Sequence, residues 1–175
     1  YSDIIQVFIP ELKDTVIEQS IASINRSLLN ANIRMAILLK DIPNAKEILE
    51  RLKYSGAEQT VILNCIKHST KSLTSKIELK QFLSKLNIPF DIYHTYRYAI
   101  DTDYPRYNML AYYHEIQDAS EPYLLKHLAI DGNTIKGIGY QGKEIADVLH
   151  ACLDEVIHHP ENNDAKILID MIKRT

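Results

Sequence analysis

The sequence predicts an all-α protein, and three observations support that fold class. Hydrophobic residues recur every three or four positions along nearly the whole chain, which is the spacing of one helix face. No segment alternates polar and apolar residues as a half-buried strand does, and no Asn-Gly turn marks a hairpin. Prolines fall between the periodic segments, where helices end. We therefore expect ten or so short helices, divided near Pro89 into a multi-helix bundle over residues 1–87 and a second helical region over residues 88–175.

The first half reads as a series of amphipathic helices with recognisable ends. A short apolar segment from Asp3 to Phe8 is stopped by Pro10, and Asn32 to Lys40 is apolar nearly all round, as in a buried central helix. Asn44 is placed to cap the next helix. Ser or Thr followed three residues later by Glu is a capping box, in which each side chain bonds the other residue's amide. The pattern occurs at Thr15/Glu18, Ser55/Glu58 and Ser75/Glu78. The residues expected to face inward are Ile17, Ile21, Ile24, Leu28, Ile48, Leu49, Leu52, Val61, Ile62, Cys65, Ile66, Leu79, Phe82, Leu83 and Leu86.

The second half continues the helical pattern. One helix is expected over Asp91 to Asp101, and another runs to Ile116 with Pro105 in its first turn, where proline is tolerated. A long helix before Pro160 and a last helix capped by Asn163 complete the chain. Their expected inward residues are Ile145, Leu149, Leu153, Val156 and Ile157, then Ile167, Leu168, Met171 and Ile172.

Composition excludes several classes of protein. A formal charge of −3 argues against a broadly basic nucleic-acid surface, so any RNA contact must be local. No apolar run approaches the roughly 20 residues that span a membrane, and no signal sequence opens the chain. The two cysteines, Cys65 and Cys152, lie on apolar helical faces and are expected to be buried, reduced thiols, which fits a cytoplasmic protein. Because the chain opens at Tyr1 rather than Met, we expect it to be a piece of a longer protein.

The stretch from Leu124 to Asn163 carries most of the functional signal. Four of the five glycines of the protein lie in it, at positions 132, 137, 139 and 142, directly before a long amphipathic helix. Glycine tolerates left-handed backbone angles and close approach of a ligand. A glycine turn leading into a helix N-terminus is a common anion site. The alternative is that these glycines only let helices pack closely.

For the other candidate sites, a structural role is favoured over a functional one. Asp101 and Asp103 resemble a magnesium-binding pair, but they lie between helices without a glycine-rich loop, so a solvated helix end is favoured. His150, Asp154 and His158 share one helix face that solvent should cover, so no metal is predicted. Arg97 and Arg106 are interleaved with tyrosines that could stack on bases, although half or more of these rings should be core. No nucleophile–base–acid set and no P-loop is present, so no catalytic residue is assigned. The tyrosines are Tyr93, Tyr96, Tyr98, Tyr104, Tyr107, Tyr112 and Tyr113.

The glycine stretch resembles the C-terminal region of bacterial CCA-adding tRNA nucleotidyltransferases and related poly(A) polymerases. The family pattern is approximately Leu-x-Ile-x-Gly-x-Asp-Leu, a glycine pair, Gly-Pro-x-Ile-Gly-x-x-Leu, and an Asn before the last helix. The matching segments here are Leu128 to Ile135, Gly139 to Leu149, and Asn162 or Asn163. The sequence departs from the pattern at Asn133, Lys143 and Ala146, where Asp, Pro and Gly are common.

The first half is similar to the degenerate HD-like helical body of the same family. The segments that match are Val16 to Ile21, Arg34 to Ile42, Arg51 to Ser55, and His68. Gln19 and Lys40 stand where the metal-binding histidines of HD phosphohydrolases would be. A charged lysine repels a cation, so the resemblance implies the HD fold without its hydrolase chemistry.

The resemblance implies a tRNA-binding region without the part that performs chemistry. In this family the catalytic head lies N-terminal to the body and supplies the Mg²⁺ site and the CTP or ATP site. Neither the head's Gly-Gly turn nor its magnesium-binding Asp pair is present, so no cofactor is expected within this segment. The implied partners are the acceptor and T arms of tRNA and the chain's own head. The residues expected to contact RNA are Lys136, Gly139, Gln141, Gly142 and Lys143.

Two other functions remain open at this point. One is a stand-alone helical module that binds RNA or protein without catalysis. The other is an active HD hydrolase, which Gln19 and Lys40 argue against.

Overall fold

The fold is all-α, as predicted. The structure is a computed structural model that describes residues 2–174, with side chains from residue 4 onward. Within these residues there are eleven α-helices, two 3-10 helices and no β-strand. The α-helices are α1 Ser2–Phe8, α2 Asp14–Arg26, α3 Ala31–Leu39, α4 Ala45–Arg51, α5 Gly56–Lys67, α6 Lys76–Leu83, α7 Phe90–Ile100, α8 Arg106–Asp118, α9 Gly132–Ile138, α10 Lys143–His158 and α11 Ala165–Arg174. The 3-10 helices are Leu125–His127 and Pro160–Asn162.

The chain folds into two compact units that interleave along the sequence. The first unit holds residues up to 72 and residues 86–106, and the second holds residues 73–85 and those from 107 onward. Relative to a single division after residue 87, α6 belongs to the second unit and α7 to the first. The reason is packing, because α6 lies against α10, whereas α7 lies against α2, α3 and α5.

The first unit is built around α3, which packs against α2, α5 and α7. Its near-continuous apolar sequence matches this position, since Ile33, Ala36, Ile37 and Leu39 are all at most 1% exposed. The predicted central helix is therefore confirmed, although it begins one residue earlier, with Asn30 as its N-cap.

The second unit is built around α10, which packs against α6, α9 and both 3-10 helices. The α9, α10 and α11 helices and the segment before α9 share one apolar core. Its buried members are Ile130, Ile135, Cys152, Leu153, Val156, Ile157, Leu168 and Ile172.

A buried ionic cluster in the second unit was not predicted from the sequence. The Lys80 side chain is 2% exposed, and its Nζ lies 2.8 Å from Oε2 of Glu121. Lys76 Nζ lies 2.8 Å from the other oxygen of Glu121 and 3.4 Å from Glu115 Oε2. Burial opposes ionisation of Glu121, but its contacts with the two ammonium groups hold the pKa of this carboxyl below its ordinary value. The cluster ties α6 to the segment that follows α8.

Some of the predicted helix caps are confirmed and others are wrong. At Ser55 the reciprocal capping box is confirmed. Ser75 caps α6 through the Glu78 amide, but the Glu78 carboxylate bonds the amide and hydroxyl of Thr74 instead. The box at Thr15 is wrong, because α2 begins at Asp14 and the Val16 amide already donates to the Lys13 carbonyl. Asn44 occupies the N-cap position of α4, but its side chain forms no capping hydrogen bond with that helix.

The last helix is capped by a different residue from the one predicted. Asp164 Oδ1 accepts hydrogen bonds from the Lys166 and Ile167 amides at 2.9 and 3.2 Å. Asn163 therefore does not cap α11, and its side chain bonds elsewhere in the unit.

Three residues predicted to face inward are exposed. Ile21 is 51% exposed on α2, and Leu28 is 70% exposed because α2 ends before it. Ile167 is 45% exposed, although its neighbour Leu168 is fully buried. The apolar face that helical spacing predicts is wider than the area that neighbouring helices cover. Apolar residues at the edge of that face therefore remain exposed to solvent.

Cys65 and Cys152 are buried free thiols, as predicted. Among the described residues, none of the helices has the length and apolarity required to cross a bilayer.

Candidate nucleic-acid interface

The five residues predicted to contact RNA lie on one short surface segment between α9 and α10. Lys136 is in the last turn of α9, Gly139 ends that helix, and Gly142 and Lys143 begin α10. Gln141 lies between the two helices, and all five residues are exposed. We refer to residues 136–143 as the basic turn.

Two glycines of the basic turn have a conformation that other residues rarely adopt. Gly139 has φ +119° and Gly142 has φ +55°. The Gly139 amide donates to the Lys136 carbonyl at 3.1 Å, which closes the end of α9. The prediction that backbone geometry requires glycine here is confirmed at these two positions. Gly137 lies inside α9, and an added Cβ there would meet nothing within 4 Å.

The start of α9 is fixed by Asp131. Its Oδ1 accepts from the amide and the hydroxyl of Thr134, both at 2.9 Å. Both hydrogen bonds lower the pKa of the Asp131 carboxyl, and the bond from the Thr134 amide has the larger effect. Asp is a preferred N-cap residue, so the sequence Asp-Gly-Asn-Thr from Asp131 to Thr134 contains a local signal for this cap.

The basic turn leads into α10, a helix of 16 residues. The first amides of a helix lack partners within it, and the helix dipole adds partial positive charge at this end. One carboxylate already lies nearby, because Glu144 Oε2 accepts from the Gln141 amide at 3.4 Å. At that length the bond is weak. The start of α10 therefore combines the exposed Lys143 and a helix dipole with one opposing carboxylate, and Lys136 lies at the end of the preceding helix.

The three parts of the sequence pattern that suggested RNA binding meet in the second unit. Asn163 Nδ2 donates to the His127 carbonyl, and its Oδ1 accepts from the Ala129 amide, both at 2.9 Å. Ile130 and Ile135 enter the shared core, and a Cβ on Gly132 would lie 3.5 Å from Ile145. Several residues of the pattern therefore have a packing role, whereas Lys136, Gly139, Gln141, Gly142 and Lys143 of the basic turn are exposed.

The two sets of candidate metal ligands, for which a structural role is favoured, make local contacts in the structure. Asp101 Oδ2 lies 2.9 Å from Arg97 Nη2, and its Oδ1 accepts from the Asp103 amide, so this pair ends α7. His158 Nδ1 lies 2.8 Å from the Asp154 carbonyl of its own helix. Across the part of the chain that the structure describes, no three His, Cys, Asp or Glu residues form a group that could hold a metal ion.

The tyrosine-rich segment is partly core, as expected for a helix at this spacing. Tyr93, Tyr96 and Tyr104 are at most 5% exposed, and burial raises the pKa of each phenol. Arg106 lies over the Tyr98 ring, with its Cζ 4.2 Å from the centroid. Of the seven rings, Tyr107 has the most exposed position, at 73%.

The three residues that the resemblance to HD proteins singled out have separate local environments. Gln19 is exposed on α2. Lys40 forms an ion pair with the adjacent Asp41. His68 is the C-cap of α5. Burial lowers the pKa of its imidazole, and the positive charges of Lys67 and Lys71 lower it further.

Comparisons of this chain with protein-family models, with curated proteins and with solved structures found no match.

Proposed function

We propose that this chain is the body and tail of a tRNA nucleotidyltransferase of the CCA-adding or poly(A)-adding kind. In this proposal it holds the acceptor and T arms of tRNA while an N-terminal head, with Mg²⁺ and CTP or ATP, adds nucleotides to the 3′ end. The chain itself supplies binding and positioning and no catalytic group. Its place of action would be the cytoplasm.

The observation that carries the proposal is the geometry of the basic turn. Two exposed lysines, Lys136 at the end of α9 and Lys143 at the start of the long α10, flank two positive-φ glycines in the sequence. Duplex RNA is held mainly through its phosphates and its shape, for which exposed cations and helix-end amides are suitable partners. The order of the two family resemblances along the chain supports the same proposal.

The charge around the basic turn limits the affinity. From residue 135 to 175 there are five Lys or Arg and seven Asp or Glu residues. We therefore expect weak tRNA binding that falls steeply with salt.

A matched pair of double variants tests the proposal. Lys136→Ala with Lys143→Ala removes both cations of the basic turn, and Lys166→Ala with Lys173→Ala removes two exposed lysines of α11. Both variants change the net charge by the same amount. The first should weaken tRNA binding by roughly ten-fold or more and reduce the salt slope by about two, since each phosphate contact contributes about one unit.

The readout is a titration of labelled tRNA at several salt concentrations. If the two variants lose affinity equally, the binding is non-specific and the basic turn is not the site. If the wild-type chain shows no tRNA binding at low salt, the proposed function is wrong. A duplex DNA of equal length should bind less tightly, because its B-form groove differs from that of RNA.

A further inference from the structure

Tyr140 lies in the middle of the basic turn, between its two positive-φ glycines. Gly139 ends α9 and Gly142 precedes α10, so only Tyr140 and Gln141 separate these glycines. Gln141 is exposed, whereas Tyr140 is half-buried. Of these two residues, Tyr140 is therefore the one that the core of the second unit can hold in place.

The side chain of Tyr140 packs against that core. Ile138 and Tyr140, on either side of Gly139, both contact the apolar cluster that contains Ile135 and Val156. An apolar contact made just after a left-handed glycine commonly accompanies this way of ending a helix. The two contacts fix the backbone of the basic turn on both sides of Gly139.

The hydroxyl of Tyr140 is open to solvent and has no partner in the chain. Among residues 4–174 it forms no hydrogen bond, and the buried polar atoms without a partner in this part of the chain belong to other residues. The oxygen of Tyr140 therefore reaches the surface while its ring is held by the core. Tyrosine suits such a position because it has an apolar body and a polar end.

Building on the proposed function, we propose that Tyr140 is a further RNA-contacting residue of the basic turn. Its hydroxyl donates a hydrogen bond to a phosphate oxygen of the tRNA backbone, a contact that tyrosine side chains make in protein–DNA complexes. Tyr140 lies in the sequence between Lys136 and Lys143, the two cations expected to attract the same backbone. Because the core already holds the ring, little side-chain freedom is lost when this bond forms.

The salt dependence of binding distinguishes this neutral contact from the lysine contacts. A lysine that neutralises a phosphate releases counterions, whereas a hydroxyl releases none. Tyr140→Phe keeps the ring and should weaken tRNA binding by about two- to ten-fold, the value of one hydrogen bond, without changing the salt slope. The Lys136→Ala, Lys143→Ala double variant should lower the salt slope instead.

Tyr140→Ala tests the role of the ring and does not require RNA. Loss of the contact with the core should speed amide hydrogen exchange in residues 139–143, because the local opening of the turn becomes easier. Tyr140→Phe should exchange as the wild type does and have the same melting temperature. In tRNA titrations Tyr140→Ala should bind more weakly than Tyr140→Phe, since it lacks both the hydroxyl and the ring.

Tyr54→Phe is the matched control. Tyr54, in the first unit, is also half-buried, and its hydroxyl also forms no hydrogen bond within residues 4–174. This variant should bind tRNA as the wild type does.

The role of Tyr140 is overturned if Tyr140→Phe binds tRNA as tightly as the wild type, if Tyr54→Phe loses as much affinity, or if Tyr140→Ala leaves amide exchange unchanged. If Tyr140→Phe has no effect while the lysine double variant loses affinity, the proposed function stands without this contact. A wild-type chain that does not bind tRNA would overturn both.

Discussion

Asn163 bonds the backbone near His127 through both ends of its side-chain amide. Nδ2 donates to the His127 carbonyl, and Oδ1 accepts from the amide two residues later, both at 2.9 Å. A single side chain that precedes α11 therefore fixes the backbone that precedes α9, 34 to 36 residues earlier in the chain.

Asn163→Ala should destabilise the protein by about 2 kcal/mol, because it removes two hydrogen bonds and leaves a part-buried carbonyl without its partner. Urea denaturation measures the change. Asn163→Asp should also destabilise, since it keeps the acceptor and loses the donor to His127. If both variants have wild-type midpoints, the bridge contributes nothing to stability.

Breaking the buried ionic cluster should lower the free energy of unfolding more than Asn163→Ala does. Glu121→Ala leaves Lys80, a 2% exposed ammonium, without this carboxylate, and the expected cost is about 3 kcal/mol. Lys80→Met combined with Glu121→Leu should recover most of the loss, because a buried apolar pair replaces a buried ion pair at little cost. Equal instability of the single and the double variant in urea would contradict this account.

The same cluster should make stability fall in acid. The folded-state pKa of Glu121 is lowered, so the stabilisation is fully present above the unfolded pKa and is lost as the pH falls through the folded pKa. The difference in unfolding free energy between wild type and Glu121→Gln should be constant near neutral pH and shrink below about pH 4. A constant difference down to about pH 2 would show that ionisation of Glu121 does not matter.

Alanine substitutions at Gly137 and Gly139 should change the stability of the protein in opposite directions. Gly137→Ala should stabilise by about 1 kcal/mol, because this residue is helical and its added Cβ meets no atom within 4 Å. Gly139→Ala should destabilise by about 1–2 kcal/mol, since φ is +119° there. Thermal melts of the two variants provide the comparison, and shifts of the same sign would contradict the backbone argument.

Glu144 should limit RNA affinity if the proposed function is correct. Its carboxylate lies at the start of α10, where a phosphate would bind, so Glu144→Gln should raise tRNA affinity about two- to five-fold. Glu161→Gln removes an exposed carboxylate of the same unit and is the control. Equal gains in both variants would indicate a general charge effect.

The thiols should be unreactive in the native state. Burial raises the pKa of Cys65 to about 12, and burial, followed by the Glu155 charge, raises the pKa of Cys152. Because the thiolate is the reacting form, labelling with a thiol reagent at neutral pH should require unfolding. Stoichiometric labelling without denaturant would show that one of the thiols is accessible.

Local sequence patterns were sufficient to predict the fold class and most helix positions. Helical periodicity and local capping depend on residues within a few positions of one another, so the central α3, the capping box at Ser55 and the glycine requirement at Gly139 and Gly142 were predictable. The basic turn could also be recognised from the sequence, because its glycines and lysines are close neighbours in the chain.

The contacts between these local elements could not be predicted in the same way, because they depend on tertiary packing. The partnership of Lys80 with Glu121, the bridge from Asn163 to His127 and the exposure of Ile167 depend on which distant segments lie side by side. The same is true of the division into units, in which α6 joins α10 and α7 joins α3. Local pattern shows that a residue is apolar or can form a hydrogen bond, but the contacts available to it are set by packing between segments far apart in the chain.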